Sequence, residues 1–269
     1  MSIALLFALN DTFVLSMKVF LISLLDSNPN FTRDIILLSD GNLSEKSFDE
    51  LKEIYPNIKK ILAKKEDYVN CLPTVERWGY NLYYRFDVFE MRGLGYDRII
   101  IMDSDMVVLK NIDELFDCTN DFAACQKHLG IPEITPNDPN EYRKKRFNCG
   151  LMSISSKLMN PLYKEKLIRL ATEKSWTSDQ PVFNVCFERK VFYLPQKYNV
   201  VTSIATKENL EAACIVQYHG FVKPWHSDDP NKCFEGFVKD EITNAKEDAT
   251  ATTLRLKNLF DSYVARVKV

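Results

Sequence analysis

The segment Arg98–Met102 constrains the fold of this chain more than any other feature of its sequence. Its residues after Arg98 are Ile-Ile-Ile-Met, and a run that is apolar and mostly β-branched is typical of a strand buried on both faces of a sheet. Sheets of such strands are usually parallel and carry helices on both sides. The segment therefore predicts a central strand of an α/β fold.

Strand and helix patterns alternate on both sides of this segment. Further strands are predicted at Ile3–Leu9, Asp34–Ser39, near Ile61, and at Phe122–Cys125, Gly150–Ser155 and Cys214–Tyr218. Helices are predicted at about Thr12–Ser27, from the N-cap Ser44 to Tyr55, and at about Thr74–Met91. The alternation implies βαβ units and a mainly parallel central sheet flanked by helices, in which ligands bind beyond the carboxyl ends of the strands.

Size and charge narrow the functional classes. The 269 residues suit one large domain, or one with a small appendage, because single cores stop growing at roughly 250–300 residues. The 35 Lys+Arg nearly balance the 37 Asp+Glu, so the net charge is −2 and the chain has no general basic field for capturing nucleic acid. No nucleic-acid partner is expected.

The cysteines and the N-terminus bear on the cellular compartment. The chain has 7 cysteines, an odd number without any C-x-x-C pair, so buried, reduced thiols are expected. Met1–Leu9 has no basic region and no cleavage site of small residues, and Asn10 and Asp11 end its apolar run far short of a membrane span. These features predict a cytoplasmic protein.

Two acidic residues follow the central strand directly, in the segment Asp103-Ser104-Asp105. Both carboxylates can turn toward one hard cation where the chain leaves the sheet. Two chemistries share this D-x-D pattern: a phosphatase of the haloacid dehalogenase type, and a glycosyltransferase that holds a metal ion on the diphosphate of a nucleotide sugar. The phosphatase also needs a later apolar strand ending in paired acidic residues, whereas Asp228-Asp229 lies in a polar stretch.

A second group of polar residues follows the strand Cys214–Tyr218, in the pattern His219-Gly220-x-x-Lys223-Pro224-Trp225. Imidazole is a good ligand for Mn²⁺ and could complete a site begun by the two aspartates. Gly220 lets the backbone approach a ligand closely, and Lys223 is a charge suited to a phosphate. A histidine at a strand end is more often only hydrogen-bonded, and this alternative stays open.

The D-x-D segment and the H-x-G-x-x-K-P-W pattern together closely resemble glycosyltransferase family 8, the group of glycogenin and the lipopolysaccharide galactosyltransferases. The resemblance extends from Ile3 to Trp225. It implies one domain of the GT-A type over residues 1–225, with a Rossmann-like nucleotide-binding half. Residues 226–269 are then expected to form a C-terminal helical extension packed on that domain.

Other segments resemble the family in the same order along the chain: Ala8-Leu9-Asn10, Tyr84-Arg85-Phe86, Phe147–Leu151, Asp179-Gln180-Pro181 with Asn184, and Leu194–Asn199. The metal ligands implied by the resemblance are Asp103, Asp105 and His219. The implied donor-binding residues are Ala8, Leu9, Asn10, Arg85, Ser104, Gly220 and Lys223. The implied residues around the donor sugar are Asn148, Asp179 and Gln180.

The resemblance also implies a reaction. A hexosyl group would pass from a UDP-α-sugar to a carbohydrate, glycolipid or glycoprotein acceptor with retained configuration, with Mn²⁺ or Mg²⁺ as the cofactor. No side chain is an obvious nucleophile, which favours front-face attack through an oxocarbenium-like state, with electrostatic help from Gln180 or Asn148. Asp179 is expected to hydrogen-bond sugar hydroxyls and to cap its own helix.

Several alternatives remain at this point. A self-glycosylating primer of the glycogenin type would use a tyrosine of its own as acceptor. A sugar nucleotidyltransferase usually carries a glycine-rich phosphate loop after its first strand. This alternative is disfavoured because Ala8–Thr12, at that position, contains no glycine. In the tail, Leu259, Phe260, Tyr263, Val264 and Val267 recur at helical spacing. That helix is expected to pack back onto the domain, and the alternative is that it contacts the inner face of a membrane. A homodimer of the chain is a separate possibility that stays open.

Overall fold

The structure, a computed structural model, describes residues 1–71, 80–127, 146–174, 176, 178–220, 223–227 and 246–267. The chain forms two compact units. The first unit comprises Met1–Val14, Thr32–Ser104 and Glu114–Pro195, and the second comprises Leu15–Phe31, Asp105–Asp113 and Gln196–Val269. The boundary between them passes through the D-x-D segment, between Ser104 and Asp105.

The described strands are β1 (Ile3–Ala8), β2 (Ile35–Ser39), β3 (Ile58–Leu62), β4 (Arg98–Met102), β5 (Met106–Val108), β6 (Phe122–Gln126), β7 (Phe147–Ser155), β8 (Phe192–Leu194), β9 (Val200–Val201) and β10 (Ile215–Gln217). The α-helices are α1 (Val14–Ser27), α2 (Glu45–Ile54), α3 (Asp113–Phe116), α4 (Pro161–Glu173), α5 (Asp179–Phe187), α6 (Lys207–Ala212) and α7 (Lys246–Val267). Short 3-10 helices span Asp11–Phe13, Lys65–Tyr68, Gln196–Tyr198 and Thr202–Ile204, and a longer one spans Tyr80–Leu94.

The first unit is built on a seven-stranded sheet in the order β3-β2-β1-β4-β7-β6-β8. Neighbours from β3 to β4 are parallel, as are β6 and β8, whereas β7 runs antiparallel to β4 and to β6. Every residue of β2, β4 and β7 is buried, as expected for strands covered on both faces. The predicted α/β class with a mainly parallel sheet is confirmed.

The segment before β4 differs from its prediction. Residues 72–79, which include the start of the helix predicted from Thr74, lie outside the described part of the chain, and Tyr80–Leu94 is a 3-10 helix rather than an α-helix. A 3-10 helix has three residues per turn, so side chains three apart share one face. Tyr83, Phe86 and Phe89 follow this spacing, are fully buried and belong to the core of the first unit. The 3-10 helix therefore places these three aromatic side chains on the face that packs into the core.

The second unit contains a three-stranded sheet in the order β5-β10-β9. Helix α1 completes the outer edge of β5: Ser23 Oγ accepts a hydrogen bond from Val108 N at 3.0 Å, and Ser27 Oγ donates one to Val108 O at 3.0 Å. Ser23 is fully buried in this helix, and its hydrogen bond with the strand backbone satisfies its hydroxyl there.

The C-terminal helix begins earlier than its apolar pattern indicated, at Lys246. Its residues Leu256 and Phe260 are buried in the core of the second unit, with Val107, Val216 and Tyr218. The guanidinium of Arg266 pairs with Asp26. The apolar face of this helix thus packs within its own unit, and nothing supports the membrane alternative. The division into residues 1–225 and 226–269 stays a prediction.

Two further predictions concern the thiols and the membrane. The six described cysteines are all free thiols, and Cys118 is the only one of these that is not buried. Reduced thiols are therefore confirmed for the described part of the chain. No helix within the described ranges combines the length and apolarity needed to cross a bilayer.

Candidate active site

The carboxyl ends of β1, β2 and β4 meet at one edge of the first unit's sheet, because these strands are parallel neighbours. Asn10 lies just after β1 and accepts a hydrogen bond from Thr12 N at 3.1 Å. Asp40 follows β2 and accepts one from the hydroxyl of Tyr84 at 2.8 Å. Asp103 follows β4, and its backbone N–H donates to Gly150 O at 2.9 Å. The segment Ala8-Leu9-Asn10, which the resemblance assigned to donor binding, and the first aspartate thus lie at the same edge of the sheet.

Arg85 connects Asp103 to helix α5. The arginine is 6% exposed, so it is not a surface residue. Its Nη1 donates to Asp103 Oδ1 at 2.9 Å and to Cys149 O at 3.0 Å, and its Nη2 donates to Asp179 Oδ1 at 3.2 Å. A buried guanidinium is tolerated only when it is paired and hydrogen-bonded, and the two carboxylates provide both conditions.

Asp179 is the first residue of α5 and not its cap. The N-cap is Ser178, whose extended backbone lets its side chain accept a hydrogen bond from Gln180 N at 3.3 Å. The capping role predicted for Asp179 is therefore wrong. Asp179 is 1% exposed and faces Arg85, with both of its carboxylate oxygens within 3.2 Å of Nη2.

Burial is the main influence on the ionisation of Asp179. Loss of hydration raises its pKa to about 6; Arg85 opposes this rise, the charge of Asp103 adds to it, and backbone N–H groups at the helix start oppose it. The folded chain therefore binds a proton here at a pH where an unfolded aspartate, with a pKa of about 3.9, has lost it.

This difference predicts a pH dependence of stability. The pKa of Asp179 is higher in the folded chain than in the unfolded chain, so its ionisation costs stability. The free energy of unfolding therefore decreases as the pH rises from about 4 to 6, and above pH 6 this contribution no longer changes. Relative to Asp179→Asn, the free energy of unfolding of the native chain should fall by on the order of 2–3 kcal/mol across this window. Chemical denaturation at several pH values measures it. A difference that does not change with pH contradicts the prediction, and the exposed Asp117→Asn is measured alongside as the control variant.

Side chains of α5 fasten the beginning of β7. Gln180 Oε1 accepts a hydrogen bond from Cys149 N at 2.9 Å. Asn184 accepts from Phe147 N and donates to Phe147 O, both at 2.9 Å. Asn148 Oδ1 accepts from Gly150 N at 2.6 Å. Because these amides supply partners for its backbone, β7 starts at Phe147, before the predicted Gly150, and Asn148 lies within the strand.

In the second unit, Asp105 lies against the histidine motif. Its backbone carbonyl accepts a hydrogen bond from Tyr218 N at 2.8 Å, which continues the antiparallel pairing of β5 with β10. Its Oδ1 accepts one from Gln217 Nε2 at 3.4 Å. Its Oδ2 accepts one from the ammonium of Lys223, which also donates to Tyr218 O at 2.7 Å.

The remainder of the motif forms a turn anchored on α7. Gly220 has φ +117°, a conformation that side chains disfavour. Lys223 and His226 exchange hydrogen bonds, from Lys223 N to His226 Nδ1 at 3.2 Å and from His226 N to Lys223 O at 2.9 Å. The ring of Trp225 lies 5.4 Å from that of Phe260. Residues 221 and 222 of the motif lie outside the described part.

Comparison with known proteins identifies the domain that carries this site. The model of the family described as "Glycosyl transferase family 8" matches residues 4–229. The chain belongs to glycosyltransferase family 8. Membership favours the glycosyltransferase interpretation of the D-x-D segment over the phosphatase and nucleotidyltransferase alternatives.

The relatives that this chain resembles include two enzymes named as lipopolysaccharide glycosyltransferases. The lipopolysaccharide 1,2-glucosyltransferase of Escherichia coli (strain K12) is 26% identical over 192 residues, which cover 60% of this chain and 53% of the relative. The lipopolysaccharide 1,3-galactosyltransferase of Salmonella typhimurium (strain LT2) is 23% identical over 251 residues, 82% of this chain and 72% of the relative. The chain spans about half the length of the Escherichia coli enzyme.

Solved structures share the fold of this family 8 chain. The galactosyltransferase LgtC, in complex with donor and acceptor sugar analogues, superposes with a TM-score of 0.69 at 18% identity and covers 96% of this chain and 95% of its own. The glycosyltransferase GlyE of Streptococcus pneumoniae TIGR4 gives a TM-score of 0.60 at 18% identity and covers 98% of this chain and 63% of its own. The predicted GT-A type of fold is confirmed.

The predicted metal ligands are distributed over both units. Asp103 belongs to the first unit, and Asp105 and His219 to the second. No cluster of three or more histidine, cysteine or acidic side chains is formed among the residues that the structure describes. Instead, Asp103 pairs with Arg85 and Asp105 with Lys223. Each carboxylate therefore already holds a cationic group within its own unit, and carboxylate oxygen and imidazole are ligand types that suit Mn²⁺.

Two residues of the site were missed from the sequence. Gln217 binds the carboxylate of Asp105, and Ser178 caps α5. Gln217 could have been found, because it is a polar residue in an otherwise apolar strand, where a buried amide needs a partner. Ser178 could also have been found, because serine is a preferred N-cap residue and it lies directly before the predicted start of the helix.

Proposed function

We propose that this chain is a metal-dependent, retaining glycosyltransferase that moves a hexosyl group from a UDP-α-sugar to a hydroxyl of a glycan acceptor, forming an α-linkage. The observation that carries the proposal is the buried Arg85, which joins Asp103 of the D-x-D segment to Asp179 of α5. One guanidinium thereby orients a proposed metal carboxylate and a proposed sugar-binding carboxylate within a single unit.

Charge neutralisation is the main catalytic need. The leaving nucleoside diphosphate gains negative charge as its bond to the sugar breaks, and a divalent cation, when bound, neutralises that charge. We assign Asp103, Asp105 and His219 as its ligands. Lys223 contributes a further positive charge for the diphosphate, and Gly220, whose φ of +117° disfavours a side chain, lets the backbone approach a ligand closely.

The hydrogen bonds around β7 support front-face attack. Gln180 Oε1 accepts from Cys149 N, and Asn148 Oδ1 accepts from Gly150 N, so the oxygen of each amide is already engaged. An amide oxygen is a weak nucleophile, and these bonds reduce its electron density further. We therefore assign Gln180 and Asn148 to electrostatic support of an oxocarbenium-like state, and Asp179 to a hydroxyl of the donor sugar.

The names of the relatives guide the proposal for the acceptor. Two of them act on lipopolysaccharide by name, and an Arabidopsis thaliana relative with 28% identity is named inositol phosphorylceramide glucuronosyltransferase 1. We therefore propose a glycan of a glycolipid as acceptor. A self-glycosylating primer is the second candidate, and a shift in intact mass after addition of the donor distinguishes it.

Donor hydrolysis tests the proposal. UDP release is measured for a panel of UDP-sugars, with Mn²⁺ and with a chelator, and without acceptor. We expect slow, Mn²⁺-dependent release of UDP from one donor, since water can replace the hydroxyl of the acceptor. Absence of hydrolysis for every donor, together with absence of UDP binding by calorimetry, would refute the proposed function.

A further inference from the structure

The ammonium of Lys223 lies inside the proposed metal site and not beside it. Only 12% of its side chain and 10% of that of Asp105 are exposed. The ammonium donates to Asp105 Oδ2 and to the carbonyl of Tyr218, 2.7 Å away. The other carboxylate oxygen, Oδ1, accepts from Gln217 at 3.4 Å. All four residues belong to the second unit.

This arrangement sets Lys223 against a metal ion. A divalent cation binds carboxylate oxygen at about 2.0–2.6 Å, closer than an ammonium does, and repels a nearby positive charge. A divalent cation on Asp105 Oδ2 would therefore repel the ammonium that occupies this oxygen in the free chain and weaken its hydrogen bond. In the free chain Lys223 already supplies the positive charge that this buried carboxylate requires.

We propose that Lys223 is an exchangeable counter-ion of Asp105: its ammonium occupies the carboxylate in the metal-free chain and transfers to the donor diphosphate when a divalent cation binds Asp105. The inference rests on the proposed function and deepens it. The carbonyl of Tyr218 gives the ammonium a second partner, so that Lys223 is not left unpaired during the exchange.

The exchange couples the binding of metal and nucleotide. Metal alone must displace Lys223 without offering it a new anionic partner, whereas metal with UDP offers the diphosphate. UDP should therefore tighten metal binding, and metal should tighten UDP binding by the same factor. Loss of the ammonium should weaken this coupling and change the affinity for metal in the absence of UDP. A lysine that only binds phosphate would not affect metal affinity in the absence of UDP.

The variant Lys223→Met isolates the effect. In the absence of nucleotide we expect it to bind Mn²⁺ about 10-fold more tightly than the native chain, because a charged hydrogen bond no longer has to be broken. The factor by which UDP tightens Mn²⁺ binding should fall by about 10-fold. The exposed Lys110→Met removes one positive charge from the same unit and should change neither quantity.

The measurement is the concentration of free Mn²⁺, read from its electron paramagnetic resonance signal during titration of each protein with and without UDP. Mn²⁺ affinity of Lys223→Met that equals or falls below the native value without UDP overturns the inference and leaves the proposed function standing. Absence of Mn²⁺ binding to the native chain under both conditions overturns both. Should the methionine variant not fold, Lys223→Gln removes the charge, keeps a donor for Tyr218 O and carries the same expectations.

Discussion

Replacement of Asp105 by asparagine is expected to lower kcat/KM for the transferred donor by about 10³-fold or more. The change keeps the shape of the side chain but removes the negative charge that we assign to metal binding, and a bound metal ion stabilises the transition state by several kcal/mol. Asp103→Asn and His219→Ala should act in the same direction, because each removes one proposed ligand.

The structure determines how this test is designed. Asp103 and Asp105 pair with Arg85 and Lys223, so alanine would leave a poorly solvated cation without its counter-charge. Asparagine retains a hydrogen-bond acceptor, and thermal unfolding of each variant shows whether the fold survives. UDP release at saturating Mn²⁺ is the readout, with the exposed Asp117→Asn as control. Native turnover by any of the three variants removes that residue from the ligand set.

Replacement of Lys164 by methionine is expected to lower the free energy of unfolding by about 3–5 kcal/mol. Lys164 is 4% exposed in α4, and its ammonium lies 2.7 Å from Asp67, 2.8 Å from Asp87 and 2.7 Å from Glu90. Asp87, which also accepts a hydrogen bond from Tyr68, is the buried one of the three, and removal of Lys164 leaves its charge uncompensated. Water screens the more exposed Asp67 and Glu90.

Acidification should reduce this loss of stability. Burial raises the pKa of Asp87, while Lys164 and Tyr68 oppose that rise. Without Lys164 the folded pKa rises further, so ionisation of Asp87 costs more stability as the pH increases. The deficit of Lys164→Met measured by chemical denaturation should therefore be larger at pH 8 than at pH 5. The exposed Lys166→Met on the same helix should stay within about 0.5 kcal/mol of the native chain; a similar loss in both variants contradicts the network as the cause.

Features encoded by short stretches of sequence were predicted well. The segment Arg98–Met102, which is apolar after Arg98, is the buried strand β4. Ser44 caps α2, with its side chain accepting a hydrogen bond from Ser47 N at 3.2 Å. Both outcomes depend on neighbours within a few residues, which is the range over which hydrophobic periodicity and capping act.

Features that depend on distant partners were not predicted from the residues alone. Nothing near Arg85 in the sequence indicates that it is buried between Asp103 and Asp179, which lie 18 and 94 positions away along the chain. Similarly, Asp179 was assigned the cap because its residue type allows it, whereas Ser178 takes the role and leaves Asp179 to face the arginine.

The sequence by itself determined the α/β class, the position of the central strand and the family, because buried strands and the D-x-D and H-x-G-x-x-K-P-W patterns are local and chemically specific. Only the tertiary structure decided which cation each aspartate holds. Only Ser104 separates Asp103 from Asp105, yet Asp103 belongs to the first unit with Arg85 and Asp105 to the second with Lys223. The physical reason is that a buried charge is stabilised by whichever opposite charge the fold brings within hydrogen-bonding distance, and chain topology sets that choice.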